Sequence, residues 1–303
     1  MAKLIGVCVG LGFLLVTLFS FGNGLYAYLT EEHEETLEHR FHLSPRQAGL
    51  PSDGPFGRFD RQQVQRGFQV YKEVCAACHS IKYVAFRNLE ELGYTEAEVK
   101  QIAATWAIEV PSINPETGEA VTRPALPSDK FPSPYANETA GRAANNNAYP
   151  PDLSLIAKAR EDGHNYVYSL LSGYRNAATY RSPEGEPLPP EGRPGQGLYF
   201  NPYFPNLNLA MPPPITADGQ VTYADGTPAT IDQMSKDVAA FLVWTAEPRL
   251  ESRHLAGWAS VIFLLVFTAL TYMAYKNIWA DRKNKGGQET TSLSDPDKVG
   301  QNA

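Results

Sequence analysis

Cysteine is scarce in this chain, three in 303 residues, at positions 8, 75 and 78. Three thiols cannot make the dense bridge framework that holds small secreted domains together. Methionine is nearly as rare: four, of which Met1 is the initiator. Basic charge is also short, with 26 Lys+Arg against 33 Asp+Glu and a net charge of −7, the reverse of a nucleic-acid footprint. The chain shows no glycine-rich phosphate loop and no nucleophile with its base, so bond-making catalysis is not expected of it.

Proline, by contrast, is plentiful. Most of the 24 prolines fall between positions 111 and 228, which predicts long, stiff, loop-rich excursions. Residues 31 to 255 hold 29 Asp+Glu against 20 Lys+Arg, a balance of −9. That charge suits a basic protein partner, and equally a merely soluble acidic surface.

Two of the three cysteines stand in Cys75-Ala76-Ala77-Cys78-His79. C-x-x-C-H is the attachment signature of a c-type haem, in which two thiols on one helical turn add to porphyrin vinyl groups and the next residue lies under the iron. His79 is then the first axial ligand. A thioredoxin-like dithiol should follow a strand, whereas an amphipathic helical stretch precedes this one. A tetrahedral zinc site needs a second Cys/His pair, and Cys8 lies in an apolar run.

Taken in order, Leu4 to Leu29 is uncharged and is followed by Glu31, Glu32, Glu34 and Glu35. Its length favours a retained helical anchor over residues 1–29; a cleaved signal peptide is the alternative. Residues 30–55 read as an acidic tether. Its His33, His39 and His42 read as solvated, although His39 and His42 have the i, i+3 spacing of metal ligands.

A domain is expected over 56–254. Asp60 with Gln63 caps a helix whose stripe Val64, Gly67, Phe68, Tyr71, Val74, Cys75 runs into the haem motif. Thr95 with Glu98 opens a second helix to Trp106. Residues 107–150 read as loop; helices follow from Asp152 through Arg160 and over Tyr166 to Leu171, ended by Gly173. Residues 175–228 are loop again. Thr230 and Gln233 cap a helix with the stripe Ile231, Met234, Val238, Phe241, Leu242, Thr245, closed by Pro248.

Ala256 to Tyr275 is uncharged for 20 residues, about 30 Å of helix, the thickness of a hydrocarbon core. The anchor is placed at 255–279, with Trp258, Tyr272, Tyr275 and Trp279 as interfacial aromatics. Lys276, Arg282, Lys283 and Lys285 follow it, so the positive-inside rule puts the polar tail 280–303 in the cytoplasm, disordered after Gly286, and the haem domain on the outer face.

The sixth iron ligand of an electron carrier is Met or a second His. Met273 lies in the membrane run and Met234 on an apolar stripe, which leaves Met211, in a loop stiffened by Pro212, Pro213 and Pro214. His164 is the alternative, and His254 reads as interfacial.

Four blocks in this order resemble the cytochrome c1 family: Arg66 to Tyr71 leading into Cys75–His79; Pro150-Pro151-Asp152-Leu153-Ser154; Tyr199 to Phe204 running to Met211-Pro212; and Asp237 to Pro248 leading into the anchor. The resemblance implies a mostly α, cytochrome c-like domain with long proline-rich loops, one haem c bound through Cys75 and Cys78, axial His79 and Met211, and Arg160 and Tyr166 at the haem propionates. It also implies an electron carrier of the ubiquinol-cytochrome c oxidoreductase (bc1) complex in a bacterial inner membrane. Its neighbours there are a cytochrome b subunit, a Rieske iron-sulfur subunit, cytochrome c and membrane lipid, in a dimeric complex. The rivals are a free-standing anchored cytochrome c that serves a terminal oxidase, and a peroxidase-like protein with an open sixth position.

Overall fold

The fold is seen in a computed structural model that describes residues 2–30 and 36–292. His33 and the four glutamates beside it, and the tail from 293, lie outside the described residues. Helix α1 spans Ala2–Thr30, long and apolar enough to cross a membrane, with none of its side chains buried.

From Thr36 on, the stretch read as a tether is not free. Thr36 caps a short helix α2 (Leu37–Phe41), and Phe41 is buried. Beyond it the chain is lashed to the domain by backbone N–H donations from Leu43 to the Pro202 carbonyl (2.8 Å), from Arg46 to Ser169 Oγ (2.7 Å) and from Ala48 to Asn165 Oδ1 (2.8 Å). Ala48 and Leu50 join the main core. Their apolar side chains are the reason: each gains by leaving water, and the charges around them stay outside. The packed domain therefore begins near residue 37, not 56.

Asp60 accepts from the N–H groups of Gln62 and Gln63 and starts α3 (Arg61–Val70), which continues into a π-helical turn over Tyr71–Cys75. Helix α4 (Glu96–Ala104) opens on the predicted capping box, with Thr95 and Glu98 bonded reciprocally. Between them Phe86, Leu89 and Leu92, at a period of three, bury one face of a 3₁₀ turn over Phe86–Leu92.

The long loops hold more order than their proline content suggests. Strands β1 (Val110–Ile113) and β2 (Ala120–Arg123) form an antiparallel hairpin, and α5 (Glu138–Ala144) follows. The helix expected through Arg160 is only one turn, α6 (Ile156–Ala159). Helix α7 (Gly163–Ser172) ends at Gly173 as expected, and β3 (Tyr199–Phe200) pairs with β4 (Asn208–Leu209) inside the second loop region.

Helix α8 (Ile231–Ala246) is capped by Thr230 and crosses α3. The crossing is close because residue 67 is glycine: a Cβ there would fall on the Asp237 backbone, 2.6 Å from its carbonyl carbon, and 2.8 Å from Phe241 Cβ. Beside it the Arg66 guanidinium spans Asp237 (Nε to Oδ2, 3.0 Å) and Asp225 (Nη1 to Oδ2, 2.8 Å), with the Asp237 side chain fully buried. Burial alone lowers the affinity of Arg66 for its proton, but the two carboxylates outweigh that and raise it. Phe68, Tyr71, Phe86, Trp106, Phe131 and Phe241 fill the core beneath the crossing, and Met234 is fully buried there.

Helix α9 runs from Leu250 to Ser292, so residues 287–292, expected to be disordered, continue the helix. Its segment Leu250–Ala280 is long and apolar enough to span a bilayer.

Candidate functional site

The π turn at the end of α3 sets the haem motif. Ala76 donates to the Tyr71 carbonyl (2.8 Å), and Cys78 and His79 both donate to the Cys75 carbonyl (3.1 and 2.9 Å). One backbone oxygen thus gathers both thiols and the imidazole into a single tight turn. Both cysteines are free thiols. Burial, and then the neighbouring Cys78, push the Cys75 thiol up to about 12, so it is held neutral. The Tyr135 phenol lies against Cys78 and accepts a 2.8 Å bond from Asn145 Nδ2.

His79 is aimed from both ends. Its Nδ1 donates to the Pro151 carbonyl (2.8 Å), which fixes the tautomer and leaves the Nε2 lone pair free for a metal. Its own carbonyl accepts from the Tyr71 hydroxyl (3.0 Å). Burial lowers the proton affinity of the ring against the opposing Pro151 bond, which keeps it in the neutral, ligating form.

The Pro150-to-Ser154 block is held under His79 by Asp152. Its Oδ2 accepts from Ser80 Oγ (2.7 Å) and the Lys82 N–H (2.9 Å), and its Oδ1 from the Ser154 N–H (3.0 Å). Burial works against the carboxylate, but these donors prevail and hold it below its ordinary range.

The two sixth-ligand candidates separate. Met211 is half-buried and packs against the main core that contains Cys75 and Ala76, while Tyr174 donates to its carbonyl (3.0 Å). His164 Nε2 is instead 2.8 Å from Asp53 Oδ1, beside a cavity of about 240 Å³ that Lys158, Glu247 and His254 also line. Met273 is exposed on α9. His254 faces the Gly57 carbonyl through Nδ1 (3.2 Å).

Arg160 is exposed at the end of α6, and its guanidinium has no bonded partner among the described residues. Tyr166 is half-buried; burial raises its phenol, and the Arg160 charge acts in the other direction, which places the two near each other. Two free thiols beside a neutral, oriented imidazole are the donor chemistry that haem c attachment calls for. Among the described residues no group of three His, Cys, Asp or Glu side chains is arranged to hold a bare metal ion. Tyr174 and Asp152, which brace the Met211 and Pro151 segments, were not singled out by sequence reasoning. The only signal for either was Asp152's place in the Pro-Pro-Asp-Leu-Ser block.

The Cytochrome C1 family profile matches residues 50–282. A protein of Rhodospirillum rubrum named cytochrome c1 is 46% identical over 241 residues, covering 76% of this chain and 86% of its own. Cytochrome c1 1, heme protein, mitochondrial, of Arabidopsis thaliana is 44% identical over 264 residues, covering 86% and 80%. The protein named cytochrome b/c1 of Bradyrhizobium diazoefficiens is 46% identical over 250 residues; 75% of this chain is matched, to only 34% of that longer protein.

Proposed function

The chain belongs to the Cytochrome C1 family, and from that premise we propose the path of its electrons and the groups that hold its haem. It is a membrane-anchored haem c electron carrier, a subunit of the ubiquinol-cytochrome c oxidoreductase complex alongside cytochrome b and Rieske subunits. In the proposed path single electrons arrive from the Rieske subunit and leave to a cytochrome c, with the complex a dimer. The subunit makes no bonds in its substrates.

Cys75 and Cys78 would carry the thioether links, His79 and Met211 the axial bonds, and Arg160 and Tyr166 the propionates. Haem c, when bound, supplies a one-electron ferric/ferrous couple. The chain supplies the rest: an imidazole oriented by Pro151, a thioether held by Tyr174 and its prolines, and an aromatic core that keeps water from one face. Methionine ligation and burial raise the potential. A guanidinium at the propionates neutralises charge that would otherwise favour the ferric state. The observation that carries the reading is the His79–Pro151 bond, which leaves Nε2 as a ligand beside two free thiols.

For orientation we adopt the haem domain on the periplasmic side of a bacterial inner membrane and the tail in the cytoplasm, supported by Lys276, Arg282, Lys283 and Lys285. Residues 1–29 are read as a retained anchor. Mild detergent extraction tests the whole: the haem subunit should co-purify with a b-type cytochrome and an iron-sulfur protein. Isolation of the haem subunit alone would favour the free-standing donor instead.

A further inference from the structure

Outside the two membrane-length helices, the most exposed large apolar side chain among the described residues is Phe56, 73% accessible. It is not loose. Its ring stacks on Trp258 of α9 with centroids 4.8 Å apart and planes 1° from parallel. The Trp258 indole donates to the Pro55 carbonyl (3.0 Å), the Gly57 carbonyl meets His254 Nδ1 (3.2 Å), and the Phe59 N–H donates to Glu251 Oε1 (2.9 Å). Residues 55–59 are therefore strapped along the first turns of α9, and that strap presents an aromatic ring to the outside.

Between strap and helix lies a groove of about 370 Å³, its walls including Phe56, Arg58, Leu255, Trp258 and Ile262. The polarity of this groove is ordered along the helix axis. The titratable groups of the helix that line it, Glu251 and His254, end where Leu255 begins the apolar run. Glu251 is engaged by the Phe59 N–H and His254 by Gly57, whereas Arg58 is exposed and its guanidinium has no bonded partner among the described residues. A free guanidinium thus stands at the watery end and four apolar side chains at the other. A glycerophospholipid has the same order, an anionic phosphate above an acyl chain, and aromatic rings settle at that boundary.

We propose that this groove seats a phospholipid of the leaflet nearest the haem domain, with an acyl chain along Leu255, Trp258 and Ile262 beneath Phe56 and the phosphate on Arg58. The seat gives the domain a further hold on the membrane besides the two apolar helices, and so fixes its height and tilt above the bilayer. The proposal rests on α9 as the membrane anchor.

The test replaces Phe56 with p-benzoylphenylalanine, an aromatic of similar shape that photo-crosslinks to nearby C–H bonds. The whole complex is reconstituted into phosphatidylcholine vesicles containing a trace of radioactive phosphatidylglycerol, and irradiated. Radioactive lipid on this subunit is the expected result. A crosslink to another subunit would make the groove a protein interface, and no crosslink at all would leave it in water; either overturns the proposal. The same photoprobe placed in turn at Leu264, Leu265, Val266 and Phe267 checks the premise: if none takes lipid, the anchor reading fails and the seat with it. Arg58→Gln should lower the preference for the phosphatidylglycerol tracer over a phosphatidylcholine tracer about fivefold, with the haem spectrum unchanged. An unaltered preference would remove the phosphate contact from the proposal.

Discussion

The Tyr174 phenol donates a 3.0 Å hydrogen bond to the backbone carbonyl of Met211, from one residue beyond the glycine that ends α7. Burial raises that phenol above its ordinary value, so it stays a donor across the working pH range. A thioether is a weak ligand, and its loop is held by this bond as well as by the prolines after it. Tyr174→Phe should loosen the loop by about 0.5–1.5 kcal/mol, the net worth of one such bond. The expected readout is loss of the thioether-to-iron charge-transfer band at a lower pH than in the wild type, together with a lower midpoint potential. An unchanged band and potential would make Tyr174 ordinary packing.

The Arg66–Asp237 pair ties α3 to α8 at their crossing. Arg66→Leu leaves the fully buried Asp237 carboxylate without its charged partner and with the Gln233 amide (2.8 Å), and should cost about 3–5 kcal/mol. The double variant Arg66→Leu, Asp237→Leu should recover much of that loss, because neither charge is then buried. Thermal unfolding of the two variants, followed by haem absorbance, checks the order.

Asp152 makes the domain sensitive to acid. Its folded carboxyl is held below its ordinary value near 3.8, so the stability it contributes is fully present above that pH and is lost as the pH falls through the lower folded value. Asp152→Asn should flatten the acid limb of the stability curve. It should also weaken the wild-type fold at neutral pH, because Ser80, Lys82 and Ser154 lose a charged acceptor. Parallel denaturant titrations from pH 3 to pH 7 would show this; equal acid slopes would contradict it.

Partner docking follows from the −9 balance of residues 31–255. The bimolecular rate with a basic cytochrome c should fall as ionic strength rises from ~0.01 to ~0.15 M and the Debye length shrinks from about 30 to about 8 Å. Arg40 already engages Glu186, while Glu90, Glu184 and Glu191 are exposed, so neutralising the latter should slow the reaction more than Glu186→Gln does. A rate flat with salt would discard steering.

Much of this was legible from local chemistry. Asp60, Thr95 and Thr230 announced their helices because a cap is a bond between near neighbours, and the α3 and α8 stripes announced their buried faces. The 37–50 strap was not legible, since the glutamates just before it colour the whole stretch as acidic while Phe41 and Ala48 are held by residues more than a hundred positions away. The hairpin over 110–123 was missed for a related reason: its strands are short and mostly exposed, so they carry little alternation. Cys75, Cys78 and His79 were singled out by spacing alone. Tyr174 was not, because a bond from a side chain to a distant carbonyl leaves no pattern in the sequence.

The sixth ligand offers the sharpest division of outcomes. Met211 packs on the main core, whereas His164 Nε2 lies 2.8 Å from Asp53 Oδ1 and Met234 is buried in α8. Met211→Leu should empty the position and let carbon monoxide bind the reduced haem. Met211→His supplies a nitrogen donor that favours ferric iron, so the potential should drop by some fraction of the roughly 0.8 V that axial ligands span. The charge-transfer band should vanish in both. Met234→Leu should cost less than about 1.5 kcal/mol as a volume-conserving swap and leave the spectrum alone. His164→Ala should likewise spare the spectrum, since its imidazole faces Asp53. If the Met211 variants instead keep a low-spin haem that resists carbon monoxide at the original potential, another side chain holds the iron, and His164 in a rearranged α7 is the first to test.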